Sequence, residues 1–587
     1  MDNSRFFTVP GSDREYDRNW MLAVLLISLA LTLLQVSSVN NLLPSIEGAM
    51  SASESGIQLI LSGYALAVGV VLVPAGRLGD IFGRSSLWVI GLAIFTAASL
   101  GCGLAGTITH LNFMRVLQGI GGGLFSPQIT GLIQQYFQGR ERARAFGYMG
   151  LVVAASVAVG PLLSGTLVGL LGQDPGWRYS FFINVPLGVA GLLAAWKLLP
   201  FGKERRTIGK GAEEAELEYE AQQEASGRPR PKRTGQRIDL DPVGMLLLTA
   251  TVLAIMLPFI LHDAWWRWLL LAAGFVLLGV WVAWELWYGN HGHFPMVNME
   301  LFKIRSFSYC TAISALQFLG SSTIFVVLAL FLQDGLAVSA LTVGILGLPN
   351  AIASGFAAVW AGKRALEHGK GLQVFALALM VGSLVILVAG FWATITLGWS
   401  VYWLMIPLVP MGFGAGAMGS ANQTQTMRDV PAAHGGTAGG LQQMTQRITT
   451  AIGNAVITGV VFSVYAGGHT AENWLWGASA GLGIIALFLA AALTLAIVFW
   501  KRVPQSAAER SPRRVGFWRA SDTDPEAANR NPGEREKSAG SKRAAGVRPV
   551  RTQLPLPPSH SAEGPQHRLQ NARVRCRRVP SGNRRPR

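Results

Sequence analysis

The stretch Gly76-Arg77-Leu78-Gly79-Asp80-Ile81-Phe82-Gly83-Arg84 carries two cations and one carboxylate within nine residues. It lies between two apolar runs, residues 56–75 and 85–105, each about 20 residues long, the length that a helix needs to cross a bilayer. The pattern predicts a tight, charged turn between two membrane helices, with three glycines supplying backbone freedom. We expect Asp80 to pair with one of the two arginines or to face the N-terminus of a neighbouring helix. A solvated loop is the simpler alternative.

A second charged position is Arg115, which lies inside the apolar run 111–133, in Arg-Val-Leu-Gln-Gly-Ile-Gly-Gly-Gly. A charge inside the bilayer is costly and marks either a function or a buried pair. The alternative to a functional role is an arginine bonded to carbonyls and to glutamines such as Gln118. The glycines that follow allow neighbouring helices to approach closely.

The run 145–171 contains Gly160-Pro161, followed by Ser164 and Gly165. Proline bends a helix, and small residues allow close helix contact, so this segment is a candidate hinge. Kinked helices rich in small residues are also common in membrane proteins of many kinds, and the pattern alone does not identify a function.

The composition indicates a membrane protein, because 50% of the 587 residues are hydrophobic and only 14% are charged. The formal charge of +17 is concentrated in residues 501–587, which hold about 21 Lys and Arg against about 7 Asp and Glu. This basic segment shows no apolar periodicity and is predicted to be disordered. Three cysteines, Cys102, Cys310 and Cys576, are too few and too scattered to indicate disulfides or a metal site.

Apolar runs of membrane-crossing length recur along the chain and predict about fourteen transmembrane helices. They cover residues 20–43, 56–75, 85–105, 111–133, 145–171, 181–199, 240–261, 266–287, 308–332, 341–360, 372–392, 400–421, 438–464 and 474–500. The first run is too long for the core of a signal peptide and is expected to stay in the membrane.

The loops on one side of these spans are rich in Lys and Arg, and the opposite loops are nearly bare. The basic loop residues include Arg77, Arg84, Arg140, Arg142, Arg144, Lys203, Arg205, Arg206, Lys210, Lys303, Arg305, Lys363, Arg364, Lys370 and Arg428. Positive loops stay in the cytoplasm, so both termini are expected to be cytoplasmic and the protein is expected in the cell membrane as a multi-pass protein.

A series of motifs, in the right order, resembles the major facilitator superfamily, fourteen-helix drug:proton antiporter branch. The stretch from Gly76 to Arg84 resembles the loop between the second and third helices, and the Arg115 segment resembles the fourth-helix motif, whose arginine is associated with proton coupling. The Gly160-Pro161 segment is similar to the motif of the family's exporters, with Ser164 where a glycine is usual. Residues 176–188 are similar to a stretch of the fourteen-helix branch, as are residues 435–453.

The resemblance implies an all-helical fold of two six-helix bundles, residues 20–199 and 288–500, with an extra two-helix hairpin at 240–287. A cytoplasmic N-terminus (1–19), a charged linker with a short surface helix (200–239) and a basic cytoplasmic tail (501–587) would complete the chain. The implied activity is secondary active transport by alternating access, as an efflux pump for amphipathic small molecules. Gly76, Asp80, Gly83 and Arg84 would form a conformational latch, and Gly160, Pro161 and Gly165 a hinge.

One departure from the family pattern concerns the first span, where Gln35 occupies the position of the usual aspartate. Glutamine cannot release a proton, and no other acid lies near the middle of a span. Proton coupling must then use an acid near a membrane face, Asp334 or Glu285, or be absent, as in a uniporter.

The residues expected to line or brace the cavity are cationic or carry amides. They are Gln35, Asn40, Arg115, Gln118, Gln333, Asn422, Gln423 and Arg447. Such a cavity should suit neutral, amphipathic or anionic molecules better than lipophilic cations, because a desolvated cation would find no carboxylate partner.

Other classes of function are less consistent with the sequence. An enzyme would need His, Asp or Glu residues at a shared depth, and none are found. The sequence contains no phosphate-binding glycine loop that would predict the use of ATP. No cofactor or metal is expected either, since His291 and His293 are typical of a solvated loop. A membrane sensor whose basic tail binds anionic lipid or nucleic acid remains a separate alternative, although nucleic acid is not an expected partner.

Overall fold

The computed structural model describes residues 5–9, 14–50, 52–201, 240–259, 266–291, 293–465 and 471–502. Its long helices are α1 (Arg18–Met50), α2 (Glu54–Phe82), α3 (Arg84–Gly103), α4 (Ile108–Tyr136), α5 (Gly139–Leu171), α6 (Gln173–Phe182), α7 (Asn184–Leu198), α8 (Pro242–Met256), α9 (Arg267–Asn290), α10 (Arg305–Ser321), α11 (Ile324–Leu330), α12 (Ala340–Gly362), α13 (Ala365–Thr396), α14 (Met405–Thr426), α15 (Gly435–Tyr465) and α16 (Ala471–Arg502). The predicted surface helix of the linker and the predicted disordered tail lie outside the described residues, apart from their first residues.

Thirteen membrane-length spans occur in the described residues, with α6 and α7 forming one of them and α10 and α11 another. The helix α4 is not among the thirteen, although it has 29 residues and is largely buried. Its buried arginine, glutamines and glycines lower its mean hydropathy. They are tolerated because the helix packs against protein rather than lipid. With α4 included, the described helices match the fourteen that the sequence predicts.

The helices α1–α7 pack into a first half and α10–α16 into a second half, with α8 and α9 packed on each other. One buried apolar group lies among α10–α16, around Leu377, Ile485 and Phe499. A second lies within the first half and extends to α8 and α15. We use the term latch face for the side of the molecule where α2 ends and α15 begins.

The charged stretch at the start of α3 differs from its prediction. The sequence predicts a turn of nine residues, but α2 continues as helix to Phe82, and only Gly83, with φ of 106°, breaks the chain before α3. Of the three glycines, only Gly83 therefore serves the turn, because a side chain at that φ would be strained. A Cβ at Gly79 would collide with the Gln128 side chain of α4, and one at Gly76 with the Gly436 carbonyl of α15, so these two glycines allow helices to approach each other.

The N-terminal segment forms a small antiparallel hairpin that the sequence did not predict. Strand β1 (Phe6–Thr8) pairs with β2 (Glu15–Asp17), and Phe7 lies opposite Tyr16. The Phe7 ring lies 4.6 Å from the ring of Tyr136 at the end of α4, and Arg18 Nε donates to the Tyr136 carbonyl at 2.9 Å. The hairpin therefore packs on the latch face of the first half.

Two predicted spans are interrupted. The sixth begins at Gln173 rather than at residue 181, because α6 continues into α7 through Ile183. The ninth is broken at Ser322 and Thr323, between α10 and α11. Asn454 Oδ1 of α15 accepts a hydrogen bond from Thr323 Oγ1 at 2.6 Å, so a side chain of a neighbouring helix binds the threonine hydroxyl at the break.

Candidate transport site and latch

Asp80 joins the two halves at the latch face. Its carboxylate accepts hydrogen bonds from the backbone of Gly436 at 3.1 Å and of Thr437 at 2.9 Å, and from Thr437 Oγ1 at 2.8 Å. These groups form the first turn of α15, whose N–H groups have no partner within the helix and carry the positive end of its dipole. Asp80 of the first half therefore caps a helix of the second half.

Arg84 completes this arrangement and is fully buried. Its Nη2 lies 2.7 Å from Asp80 Oδ1, and the same nitrogen donates to the Ala432 carbonyl of the second half at 2.6 Å. Its Nη1 donates to Gly131 O and to Gln135 Oε1, both at 2.8 Å. The sequence left open whether Asp80 would pair with an arginine or face a helix N-terminus, and the structure places it in both interactions.

The glycines of the latch are needed for close contact. A Cβ at Gly76 would collide with the Gly436 carbonyl, and one at Gly440 would lie 2.5 Å from the Leu72 carbonyl. On the other side of the interface, a Cβ at Gly362 would lie 2.6 Å from the Cα of Gly147. Helices α2 and α15, and likewise α5 and α12, thus meet backbone to backbone.

Further hydrogen bonds between the halves gather at the same face. Gln134 Nε2 donates to the carbonyls of Met427 and Val430 at 2.9 and 2.7 Å. Ser126 Oγ donates to Gln443 Oε1 at 2.6 Å. At the surface, Arg140 forms an ion pair with Glu367 of the second half. The latch face is closed in this structure.

Arg115 is buried and has partners within the first half. Its Nε donates to the Ile60 carbonyl at 3.1 Å and its Nη1 to Gln118 Oε1 at 2.6 Å, while Gln118 in turn donates to Ser99 Oγ at 2.7 Å. The guanidinium lies 4.2 Å from the centre of the Tyr64 ring, a cation–π contact. The structure thus brings Arg115 and Gln118 together, as the sequence suggested.

Arg447 lies on the face of α15 that meets the first half, because it follows Gly436, Gly440 and Gln443 at helical spacing. Its side chain is half-buried. Within the described part of the chain it makes no hydrogen bond or ion pair. It lies close enough to Tyr64 to act electrostatically on the Tyr64 hydroxyl, together with Arg115.

Gln35 is buried within the first half, where its Oε1 accepts a hydrogen bond from Asn184 of α7. The Gln35 Nε2 is buried without a hydrogen-bond partner among the described residues. Asn40 lies one turn further along α1 and is exposed. The structure therefore does not bring Gln35 into contact with Arg115 or Arg447.

The predicted amides of the second half lie in different surroundings. Asn422 is buried and accepts from Gln373 Nε2 at 2.9 Å, whereas Gln423 is half-buried. Gln333 is exposed in a short π-helical turn after α11. The cavity roles of these residues stay predictions.

The candidate hinge is held by α1. Pro161 has no N–H, which leaves the Val157 carbonyl without its usual helical donor, and Ser37 Oγ donates to this carbonyl at 2.8 Å. Ser38 Oγ donates to the Gly160 carbonyl at 2.9 Å. A Cβ at Gly160 would lie 2.7 Å from Ser37 Cβ, whereas one at Gly165 would make only an ordinary contact.

Asp241 and Glu285, which the sequence did not place together, form a pair of buried carboxyl groups on α8 and α9. Asp241 accepts from Gly244 N and from Trp284 Nε1, each at 2.9 Å, and Glu285 Oε2 accepts from Val297 N at 3.2 Å. Arg77 acts electrostatically on Glu285. Asp334, the other acid that the sequence offered for coupling, is exposed.

Two packed helical halves, a closed interface at one face and charged side chains inside the membrane-spanning region define a polytopic membrane transporter. The family model of the Major Facilitator Superfamily matches residues 25–257 and 243–454. The chain belongs to this superfamily, as its motifs predicted.

Similar proteins agree with this assignment. The chain is 32% identical over 470 residues to a probable actinorhodin transporter of Streptomyces coelicolor, covering 78% of this chain and 75% of that protein. It is 28% identical over 461 residues to a tetracenomycin C resistance and export protein of Streptomyces glaucescens, covering 77% and 76%. The crystal structure of the human organic anion transporter MFSD10 (TETRAN) matches with a TM-score of 0.56 at 16% identity, covering 81% of this chain and 99% of that one, which supports the fold.

Proposed function

We propose that the protein exports amphipathic small molecules across the cell membrane by alternating access, in exchange for protons. The observation that carries this proposal is the closed latch, in which Asp80 and Arg84 of the first half hold the first turn of α15. An interface that closes one face by a few specific contacts is what a rocking transporter must make and break in each cycle.

The latch face is the cytoplasmic face in this proposal. It carries Arg140, Arg142 and Arg144 at the start of α5, Lys363 and Arg364 between α12 and α13, and Arg428 after α14. This concentration of positive charge is typical of the cytoplasmic side. The bound molecule would then be released from the closed-latch state toward the outside, and the names of the two Streptomyces relatives support export as the direction.

Proton exchange is the second part of the proposal, and Glu285 is its candidate carrier. It is buried beside Asp241, and its Oε1 has no hydrogen-bond partner among the described residues. Its neighbour Arg77 lies near the end of α2, three residues before Asp80. A proton bound or released at Glu285 would therefore change the charge next to the latch.

The experiment is uptake into inverted membrane vesicles that carry the full chain and an internal pH dye. A set of amphipaths with one aromatic body and a neutral, anionic or cationic end group is added in turn. We expect uptake of at least one neutral or anionic probe, accompanied by outward proton movement. Asp80→Asn should abolish both signals, and Glu285→Gln should abolish proton movement, while Asp334→Asn serves as the matched control.

Two results would contradict the proposal. If no probe is taken up by energised vesicles, the export function is wrong. If uptake proceeds without proton movement and Glu285→Gln has no effect, export stands and exchange with protons is wrong.

Transport rather than catalysis is the function that the family assignment indicates, and we infer that the chain has no chemical step of its own. The intramembrane polar groups of Arg115, Gln118 and Ser99 bond to one another or to a backbone carbonyl. Incubation of the purified protein with the transported probe should return the probe unaltered.

A further inference from the structure

Arg447 is a cation inside a membrane helix that forms no ion pair with the described residues. Asp80 meets the first turn of α15, and Arg447 lies about ten residues further along that helix, which corresponds to about 15 Å. Glu285 lies with Asp241 between α8 and α9. An intramembrane charge is costly, and one that stays unpaired in the described structure needs another reason to be there.

Arg447 follows, at helical spacing, the residues of α15 that touch the first half near the latch face. On α15, Gly436, Gly440 and Gln443 touch the first half through Gly76, Leu72 and Ser126. Arg447, one turn beyond Gln443, is half-buried rather than enclosed. Arg447 therefore lies on the same helix face, one turn further from the latch face than Gln443.

Tyr64 approaches the same level from the first half, because its hydroxyl lies beside Gly122 of α4, one turn before Ser126, which bonds Gln443 of α15. Only 3% of its surface is exposed, yet its hydroxyl has no hydrogen-bond partner in the described residues. A buried hydroxyl without a partner is destabilising unless a further group binds it. Arg115 lies against the Tyr64 ring and keeps its own hydrogen bonds to Ile60 and Gln118, so it adds positive potential without occupying the hydroxyl.

We propose that Arg447 and Tyr64 form the binding site for the negatively charged end of an amphipathic substrate, a carboxylate, sulfonate or phenolate attached to an apolar body. Arg447 supplies the charge-assisted hydrogen bond, and the Tyr64 hydroxyl donates a second one when the halves move apart to admit the substrate. The apolar body lies against the membrane-spanning helices. This inference rests on the proposed function, because the bound anion is the exported molecule.

The test is a binding measurement on the full chain in nanodiscs with two probes that share one aromatic body, pyrenebutyrate and pyrenebutanol. Energy transfer from tryptophan to pyrene reports the saturable component, with empty nanodiscs as the control for partition into lipid. We expect the wild-type protein to bind pyrenebutyrate about tenfold to hundredfold more tightly than pyrenebutanol.

Variants assign this preference to the proposed site. Arg447→Gln should bind the two probes equally, Arg447→Lys should keep most of the preference, and Tyr64→Phe should reduce it about threefold to tenfold. Arg267→Gln removes a cation at the start of α9 and should behave as the wild type. Arg447→Gln should also unfold at a temperature no lower than the wild type, since it removes an unpaired charge, whereas loss of a structural contact would lower that temperature.

The inference is overturned if the wild type shows no preference for the anion, or if Arg447→Gln retains the preference. Because binding is measured without transport, its failure is distinct from failure of the proposed export. An Arg447-dependent preference without export in vesicles would support the site and contradict the export function. If Arg447→Gln still exports pyrenebutanol and still binds pyrenebutyrate more tightly than pyrenebutanol, the export function is supported and the proposed site is contradicted.

Discussion

The latch face and the centre of the same interface differ in how their charges are satisfied. At the latch face, Asp80 accepts hydrogen bonds from Arg84, Gly436 and Thr437, so each charge has several partners from both halves. At the centre, Arg447 has no hydrogen bond or ion pair within the described residues. The difference indicates two tasks on one surface. Satisfied charges hold a conformation, whereas an unsatisfied charge is available to a ligand.

The comparison extends to packing. Near the latch face the helices meet at glycines such as Gly76 and Gly440, with no room for a methyl group. Further along α15, a Cβ at Gly459 would meet no atom within 4 Å. The two halves are therefore in direct backbone contact near the latch face, whereas the exposed Gly459 has no such neighbour.

The largest effect is expected for Asp80→Asn. This change removes the anion between Arg84 and the first turn of α15, and it leaves a buried guanidinium without its counter-charge. Breaking one partner of a buried pair costs about 3–5 kcal/mol, so the closed latch should be largely lost. Transport in vesicles should fall to background while the chain still inserts in the membrane, and transport near the wild-type rate would contradict the role of Asp80.

A smaller effect is expected for Gly440→Ala, because its methyl group would meet the Leu72 carbonyl. Overpacking of this kind costs about 1–3 kcal/mol. The rate of transport should drop, whereas Gly459→Ala on the same helix should leave it unchanged. Equal rates for the two variants would show that close packing at the latch face is not required.

A more modest change is expected for Ser37→Ala at the hinge. The variant removes the donor to the Val157 carbonyl that Pro161 leaves free. Hydrogen bonds between membrane helices contribute about 0.6 kcal/mol on average and up to about 1.7. The thermal unfolding temperature in detergent should fall by a few degrees at most. Ser62→Ala, whose hydroxyl bonds only within its own helix, is the matched control.

The smallest effect is expected for Glu367→Gln. It breaks the ion pair with Arg140, which joins the same two halves as Asp80 does, but both side chains are more than half exposed. Exposed pairs contribute about 0–1 kcal/mol and are screened by salt. Transport should be unchanged. A loss comparable to that of Asp80→Asn would mean that burial does not decide which pairs hold the latch.

Most of the fold could be predicted from the sequence because membrane spans are long, apolar and separated by charged loops. The positions of Asp80 and Arg84 were also predictable as a charged group, because two cations and one carboxylate lie within nine residues between two apolar runs. Gly76 and Gly79 were interpreted wrongly as turn residues, whereas Gly83 does break the chain before α3. A glycine that allows close packing and one that allows an unusual φ look alike in a sequence, and only the position of α15 distinguishes Gly76 from Gly83.

Pairing between distant residues could not be predicted in the same way. The Gln35–Asn184 contact, the buried Asp241 and Glu285, and the unpaired state of Arg447 depend on which helix faces are turned toward each other. The N-terminal hairpin was missed because its strands have only three residues each, too few to show a strand pattern. Its tertiary contacts with Tyr136 decide its structure.

The most direct test of the latch is disulfide or bismaleimide cross-linking of an Arg140→Cys/Glu367→Cys double variant in membranes, after the native cysteines are replaced by serine. These two positions face each other across the halves at the latch face. We predict rapid cross-linking in the otherwise wild-type chain, and cross-linking at least about tenfold slower when Asp80→Asn is added. Equal cross-linking rates with and without Asp80 would contradict the claim that this buried carboxylate holds the two halves together.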